Sequence, residues 1–364
     1  MHKEVISNRQ FMLLITMCTL PTAILYVPQA VTSSAGRDGW YLVLVSGAVG
    51  IVNTLIFVWL GRMYPGKNFL EIARVLLGRY LGGLFNFVYL FYLMDLTTWV
   101  LRAFTNFLLV TVEPETPFYT YLIIGGILAT FAVFHGLEVL ARITEIIFPI
   151  IFCTYILIFC LLIDQYHPEY LQPVLEDGLL QPLHSLILPV SWYGDVMIIS
   201  MFVNHVRFTR QTPLYAVTGM GMTIFFLATA IIAAIMVLGA ETTATLTFPT
   251  YSLIQNISIA NVFERIDVLI VTIWMFGAFV KFSFYLMGGV YGLSKVLHLQ
   301  HPRWIILPLA VCMVIDARLK ATSSMHVNVI FVNSAWYFFL FQFVLPFCLL
   351  CWAVLMKKWK SKTA

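Results

Sequence analysis

The strongest constraint on this chain is the recurrence, from one end to the other, of apolar stretches of about 18 residues or more with almost no charge. Each is long enough to cross a hydrocarbon core of roughly 30 Å as a helix. Lipid offers no partner to an unpaired backbone amide or carbonyl, so such stretches predict helices. Only 10% of the 364 residues are charged, where a soluble domain has roughly 25%, and mean hydropathy is +0.91. A water-soluble globule is excluded, and with it a soluble nucleic-acid-binding protein.

Ten spans are expected, at 10–33, 40–61, 81–110, 118–137, 143–163, 184–204, 214–239, 266–296, 303–320 and 331–356. The head before the first is short and lacks a small-residue cleavage pattern, so that run reads as a retained span and not a signal peptide. No linker or second domain is apparent, and one membrane domain, 1–364, accounts for the chain.

Net charge is +4, but its placement carries more information than its sign. With the N-terminus inside, Lys3, Arg9, Arg62, Lys67, Arg74, Arg79, Arg142, Arg207, Arg210, Lys295, Arg303, Lys357, Lys358, Lys360 and Lys362 face the cytoplasm, fifteen of the 21 Lys and Arg. The other face keeps Arg37, Arg318, Lys320 and the boundary residue Arg265, among Glu113, Glu115, Glu169, Glu176, Asp177 and Glu241. The positive-inside rule then predicts cytoplasmic termini. Residues 68–77 alternate apolar and charged groups at helical spacing, which predicts a short helix lying on the inner surface. Residues 248–265, with Pro249 near the start, predict a short helix capping the outer mouth.

Two spans carry interruptions in matching positions. The first reads Thr19-Leu20-Pro21-Thr22-Ala23-Ile24 and the sixth reads Pro189-Val190-Ser191-Trp192-Tyr193-Gly194-Asp195. Proline removes a donor and glycine relaxes the chain, so both helices are expected to break there. In a five-plus-five repeat, spans one and six are equivalent, and broken helices in corresponding positions point to a binding site at the bilayer midplane.

Ionisable residues within a span cost on the order of 2.5–3.5 kcal/mol each, so those present need a reason. Asp95 and Arg102 lie in span three, Asp195 after the break in span six and Lys281 near the centre of span eight. Their charges sum to zero, which suits either paired burial or a polar cavity that orients a small zwitterion. The six cysteines lie inside apolar runs, without His at metal-ligand spacing, and read as small packing residues. No HExxH, phosphate loop or Ser-His-Asp pattern is present, so neither enzyme chemistry nor a cofactor or metal is indicated.

Several stretches match a known family: Phe248-Pro249 through Leu253, Phe263-Glu264-Arg265-Ile266-Asp267, Trp274, Phe279-Val280-Lys281, the N-terminal Ile6-Ser7-Asn8-Arg9-Gln10, Ala23-Ile24-Leu25 and Gly194-Asp195. On these the chain resembles the B subunits of GerA-type nutrient germinant receptors of endospore-forming bacteria, relatives of the amino acid-polyamine-organocation (APC) transporters. The resemblance implies an all-α, inverted five-plus-five membrane fold of the LeuT/APC kind with helices 1 and 6 broken. It also implies residence in the spore inner membrane, assembly with an A subunit and a lipoprotein C subunit, and a role as nutrient sensor.

By the same analogy a small germinant, often an amino acid, sits between spans one, three, six and eight. Carried over by position, Thr22, Ala23, Ser191, Tyr193, Gly194 and Ser283 are the candidate pocket, with Lys281 and Asp195 beside it. One departure stands out, since Pro21 replaces a backbone donor where transporters of the wider superfamily have a Gly-rich unwound segment. Two functions remain open: a sensor that signals to partner subunits, and an H⁺- or Na⁺-coupled amino acid transporter in which Asp95 or Asp195 carries the proton. The signature in the outer loop and span eight favours the sensor.

Overall fold

The computed structural model describes residues 5–111, 115–176, 178–256, 266–299, 301–320 and 333–363, without the side chains of 266–270 and 358–363. The motif residues Phe263, Glu264 and Arg265, the acids Glu113 and Asp177, and the start of the expected tenth span lie outside these. The described residues are mainly helical: α1 Asn8–Ala35, α2 Gly39–Met63, α3 Phe69–Thr111, α4 Phe118–His135, α5 Leu137–Leu161 and α6 Ile187–Tyr193, which continues as 3-10 winding over Gly194–Met201. Then come α7 Thr212–Leu238, the short α8 Ala240–Thr245 and α9 Pro249–Gln255, α10 Ile266–Val296 and α11 Arg303–Leu319. The last helix, α12, comprises Ala335–Phe339, a π turn at Leu340–Val344 and Leu345–Thr363. Among the described residues the only β pairing is one isolated bridge, Ile6 with Val206.

Among the described residues seven stretches are long and apolar enough to cross a membrane, and the first, Asn8–Met63, contains both α1 and α2. The segment Ile187–Met201 is shorter. Its 3-10 part rises about 2.0 Å per residue against 1.5 Å for an α-helix, so the 15 residues still reach about 26 Å. Large apolar side chains point outward all round, among them Leu81, Phe87 and Phe91 of α3, Ile127 and Phe131 of α4 and Ile146 of α5, which is the surface of a protein solvated by lipid. α5 has 28% of its apolar window buried and α10 78%, so α10, which carries Lys281, is the central strut.

The cysteine expectation needs correction in this light. Cys18 is buried, but Cys153, Cys160, Cys312, Cys348 and Cys351 are exposed on the outer surface. In lipid an apolar residue gains little by facing inward, so membership of an apolar run does not imply packing.

The break expected in helix 1 takes a milder form. α1 is continuous through Pro21 and Pro28, and what is interrupted is its hydrogen-bond ladder. Pro28 offers no N–H to the Ile24 carbonyl four residues earlier. The Thr250 hydroxyl of α9 supplies the missing bond at 2.7 Å, a neighbour satisfying a carbonyl that proline has freed. Replacing Thr250 with Val is expected to cost about 1–3 kcal/mol in thermal unfolding of the detergent-solubilised protein, and Thr250→Ser to cost little. In helix six the interruption is a change of winding: Gly194 keeps right-handed helical angles (φ −63°, ψ −19°) as α passes to 3-10. Neither site exposes the unwound backbone that the sequence suggests.

One end of the bundle is clasped. Ile6 N–H donates to the His205 carbonyl at 2.9 Å and Arg207 N–H to Ile6 at 3.1 Å, while Asn8 bonds both Thr209 and Thr212, each at 2.8 Å. Gln10 reaches Glu145 of α5 at 3.1 Å. The foot of α1 is thereby tied to the chain leaving helix six. On the same side, residues 69–77 form the surface helix, started by a reciprocal Asn68–Glu71 cap (2.8 and 3.0 Å) and ended at Gly78, whose φ of +80° is a conformation that favours glycine.

Candidate functional site

The interior site is built on one buried cation. Lys281 of α10 has no exposure to solvent; its Nζ lies 2.6 Å from Asp195 Oδ2 and also donates to the Thr22 hydroxyl of α1. The second carboxylate oxygen, Oδ1, accepts from Gln342 Nε2 of α12 at 3.2 Å, and the Tyr285 hydroxyl donates to the Asp195 carbonyl at 2.8 Å. An isolated charge here would be severely destabilised by loss of hydration. Paired and hydrogen-bonded, the two charges tie together four elements: α1, helix six, α10 and α12.

Local backbone explains why these groups meet. Asp195 sits where α-helix becomes 3-10, and Gln342 lies inside the π turn, a local widening that shifts side chains out of α register. Between them stands Gly194. A Cβ placed on it would fall 2.1 Å from Gln342 Oε1 and 2.7 Å from Gln342 Cβ, so the absence of a side chain lets α12 approach helix six.

A cavity of about 30 Å³ borders the pair, lined by Thr22 of α1, Leu96, Trp99, Val100 and Ala103 of α3, Ser191, Trp192 and Asp195 of helix six, and Phe338 and Gln342 of α12. At about 10–15 Å³ for a single water, it holds two or three waters and is narrower than an amino acid. Tyr26 stacks on Trp192 (5.7 Å, 13°), meets Phe248 edge-on at 5.3 Å and donates from its hydroxyl to the Ala103 carbonyl at 3.0 Å. The free polar capacity is mostly acceptors: Gln342 Oε1 has no partner, the Ser191 hydroxyl spends its proton on the Leu188 carbonyl at 2.7 Å, and the Thr22 hydroxyl, accepting from Lys281, adds one donor. Acceptors framed by aromatic faces suit a ligand that presents N–H donors and an apolar body. Among the described residues no group of three or more His, Cys, Asp or Glu is arranged to hold a metal.

The structure distributes the candidate residues unevenly. Thr22, Ser191 and Asp195 line the cavity, Lys281 stands behind Asp195, and Gly194 sits against Gln342. Ala23 is buried in α1 without lining the cavity. Tyr193 turns toward α2, its hydroxyl 3.3 Å from the Val43 carbonyl and its Cβ against Gly50. Ser283 is fully buried, its hydroxyl unpartnered and off the lining. Asp95 belongs elsewhere, bonded to Lys320 at 2.7 Å beside Thr98 and Asp316. Arg102 lies over the Phe118 ring at 3.9 Å. The fourth wall is α12, where spans one, three, six and eight were expected to enclose the pocket. The sequence signal for it is Gln342, an amide between two phenylalanines in an apolar run.

This arrangement, a polar centre bordering a cavity within a helical membrane bundle, occurs in a transporter-type fold. The chain superposes on Mhp1, a nucleobase-cation-symport-1 family transporter solved in a closed conformation with bromovinylhydantoin bound, with a TM-score of 0.62 over 93% of this chain and 78% of that one at 13% identity. It is therefore an integral membrane protein with a LeuT-type fold. With that fold it belongs to the spore germination protein family, whose model matches residues 5–325. It is 29% identical to spore germination protein KB of Bacillus subtilis (strain 168) over 100% of this chain and 98% of that protein. It is also 24% identical to spore germination protein XB of Bacillus anthracis, over 89% and 87% of the two chains. These findings agree with the resemblance to germinant-receptor B subunits read from the sequence.

Proposed function

We propose that the chain is the nutrient-sensing B subunit of a spore germinant receptor, holding a small germinant, an amino acid, at the Asp195 cavity and signalling to A and C partner subunits. On this reading it resides in the spore inner membrane with both termini in the cytoplasm, and its work is binding and conformational change without chemistry. The observation that carries the proposal is the Lys281–Asp195–Gln342 centre, which joins four elements beside a cavity with unspent acceptors. As it stands the cavity is too small for an amino acid, so binding requires Trp192 or Phe338 to move aside. Movement of α1 and helix six would reach the cytoplasmic clasp at Ile6 and His205, where partners can read it. A few kcal/mol of differential affinity for one conformation is sufficient.

The sensor is favoured over a coupled transporter because both carboxylates available for coupling are engaged by lysine: Asp195 by Lys281 at 2.6 Å and Asp95 by Lys320 at 2.7 Å. The test is deletion of this gene in its spore-forming host, followed by germination screening with single amino acids, nucleosides, sugars and salts. Loss of response to one nutrient class, restored by the intact gene, is the expected result. Persistence of every response, with loss of amino acid uptake by growing cells, would establish the transporter instead.

A further inference from the structure

Two arginines converge on a single aromatic ring, and among the described residues neither has an acid. Arg102 of α3 is only 4% exposed, with its guanidinium carbon 3.9 Å from the centroid of Phe118, the first residue of α4. Arg318 of α11 approaches the same ring to 5.9 Å. Among the described residues neither forms an ion pair, and Arg102 Nε is closed off from solvent with no hydrogen-bond partner. The neighbouring acids are committed, since Lys320 holds Asp95 at 2.7 Å and Asp316 at 3.0 Å.

A ring face compensates only part of the hydration that the buried Arg102 guanidinium loses, and the exposed Arg318 brings a second positive charge to the same ring. Among the described residues the centre is therefore short of one negative charge. Phe118 covers one side of the Arg102 guanidinium, whose Nε still lacks a partner, and the parallel N–H donors of a guanidinium match the two oxygens of a planar carboxylate. We propose that Arg102 and Arg318, with Phe118 as platform, form a binding site for a small carboxylate where α3, α4 and α11 meet, separate from the Asp195 cavity. The anion seats against the Arg102 edge, with Arg318 closing over it from the exposed side. Trp99, which lines the cavity, lies one helical turn from Arg102, so occupancy is communicated to the cavity wall.

The test uses the purified full chain in neutral detergent, titrated with sodium acetate against sodium chloride at constant ionic strength, following tryptophan fluorescence and the thermal midpoint. A saturable acetate-specific change is expected. Arg102→Gln should abolish it, and Arg102→Lys, which keeps the charge but not the fork, should weaken apparent affinity at least tenfold. Arg318→Gln, at an exposed position where folding is not at stake, should weaken it severalfold. An equal response to chloride, or an unchanged one in Arg318→Gln or Arg102→Gln, overturns the site. So does a wild type that ignores acetate while Glu113→Gln acquires a response, since Glu113 is then the permanent partner. Inorganic phosphate binding tenfold more tightly than acetate would overturn the carboxylate assignment.

Discussion

Replacing Lys281 with methionine is expected to lower the stability of the folded protein by about 3–5 kcal/mol, the usual loss when one partner of a buried ion pair is removed. Methionine fills most of the volume of the lysine stem, so the loss is electrostatic and not a cavity effect. Asp195 is left buried with neutral partners, Gln342 and Tyr285, and it must either keep an uncompensated charge or take up a proton. Thr22 loses the ammonium that its hydroxyl accepts from. The diagnostic experiment adds Asp195→Leu to Lys281→Met. Removing both charges should recover most of the loss, because two well-packed apolar residues replace a buried pair at little net cost. Thermal unfolding in detergent, with folded yield as a second readout, checks both variants. A Lys281→Met protein as stable as the wild type would mean that the pair does not hold the four elements together.

Alanine at position 194 is the smallest change with a large expected effect on response. Its Cβ would sit 2.1 Å from Gln342 Oε1 and 2.7 Å from Gln342 Cβ. The amide end can swing away, but the Cβ contact requires backbone movement of α12, and overpacking of this kind costs about 1–3 kcal/mol. Swinging the amide also breaks the 3.2 Å bond to Asp195 and reshapes the cavity wall. Spores carrying Gly194→Ala should therefore need at least tenfold more germinant for half-maximal germination, with near-normal amounts of the protein in the membrane. Adding Gln342→Ala relieves the clash and should restore stability, while leaving the response impaired if the Gln342 amide contacts the ligand. An unchanged dose response in the single variant would place the ligand away from this junction.

The two predictions draw on different amounts of sequence information. Lys281 and Asp195 were legible as anomalies, because an ionisable group in a span has a cost that composition alone reveals. That they pair with each other, while Asp95 pairs with Lys320 and Arg102 lies on Phe118, was not legible. Four charges summing to zero admit several pairings, and distance in three dimensions chooses among them. Gln342 carries no such signal, because an uncharged amide in an apolar run has a small insertion cost and looks like any other polar residue in a span. Its importance comes from the π turn and from the missing side chain at Gly194, which lies 148 residues earlier in the sequence.

What the sequence determined by itself was the solvent and the element type. Long uncharged apolar stretches demand lipid, and lipid demands that each stretch satisfy its own backbone as a helix. It also determined the family, through short motifs spread along the chain. Tertiary structure alone decided which side of each helix faces inward, that α1 stays continuous across its prolines with Thr250 satisfying the Ile24 carbonyl that Pro28 frees, and that α12 supplies the last wall of the cavity. The physical reason is common to all three. In water, an amphipathic stripe marks the buried face of a helix, but in a membrane the outward face is as apolar as the inward one, so only packing and the pairing of a few polar groups distinguish them.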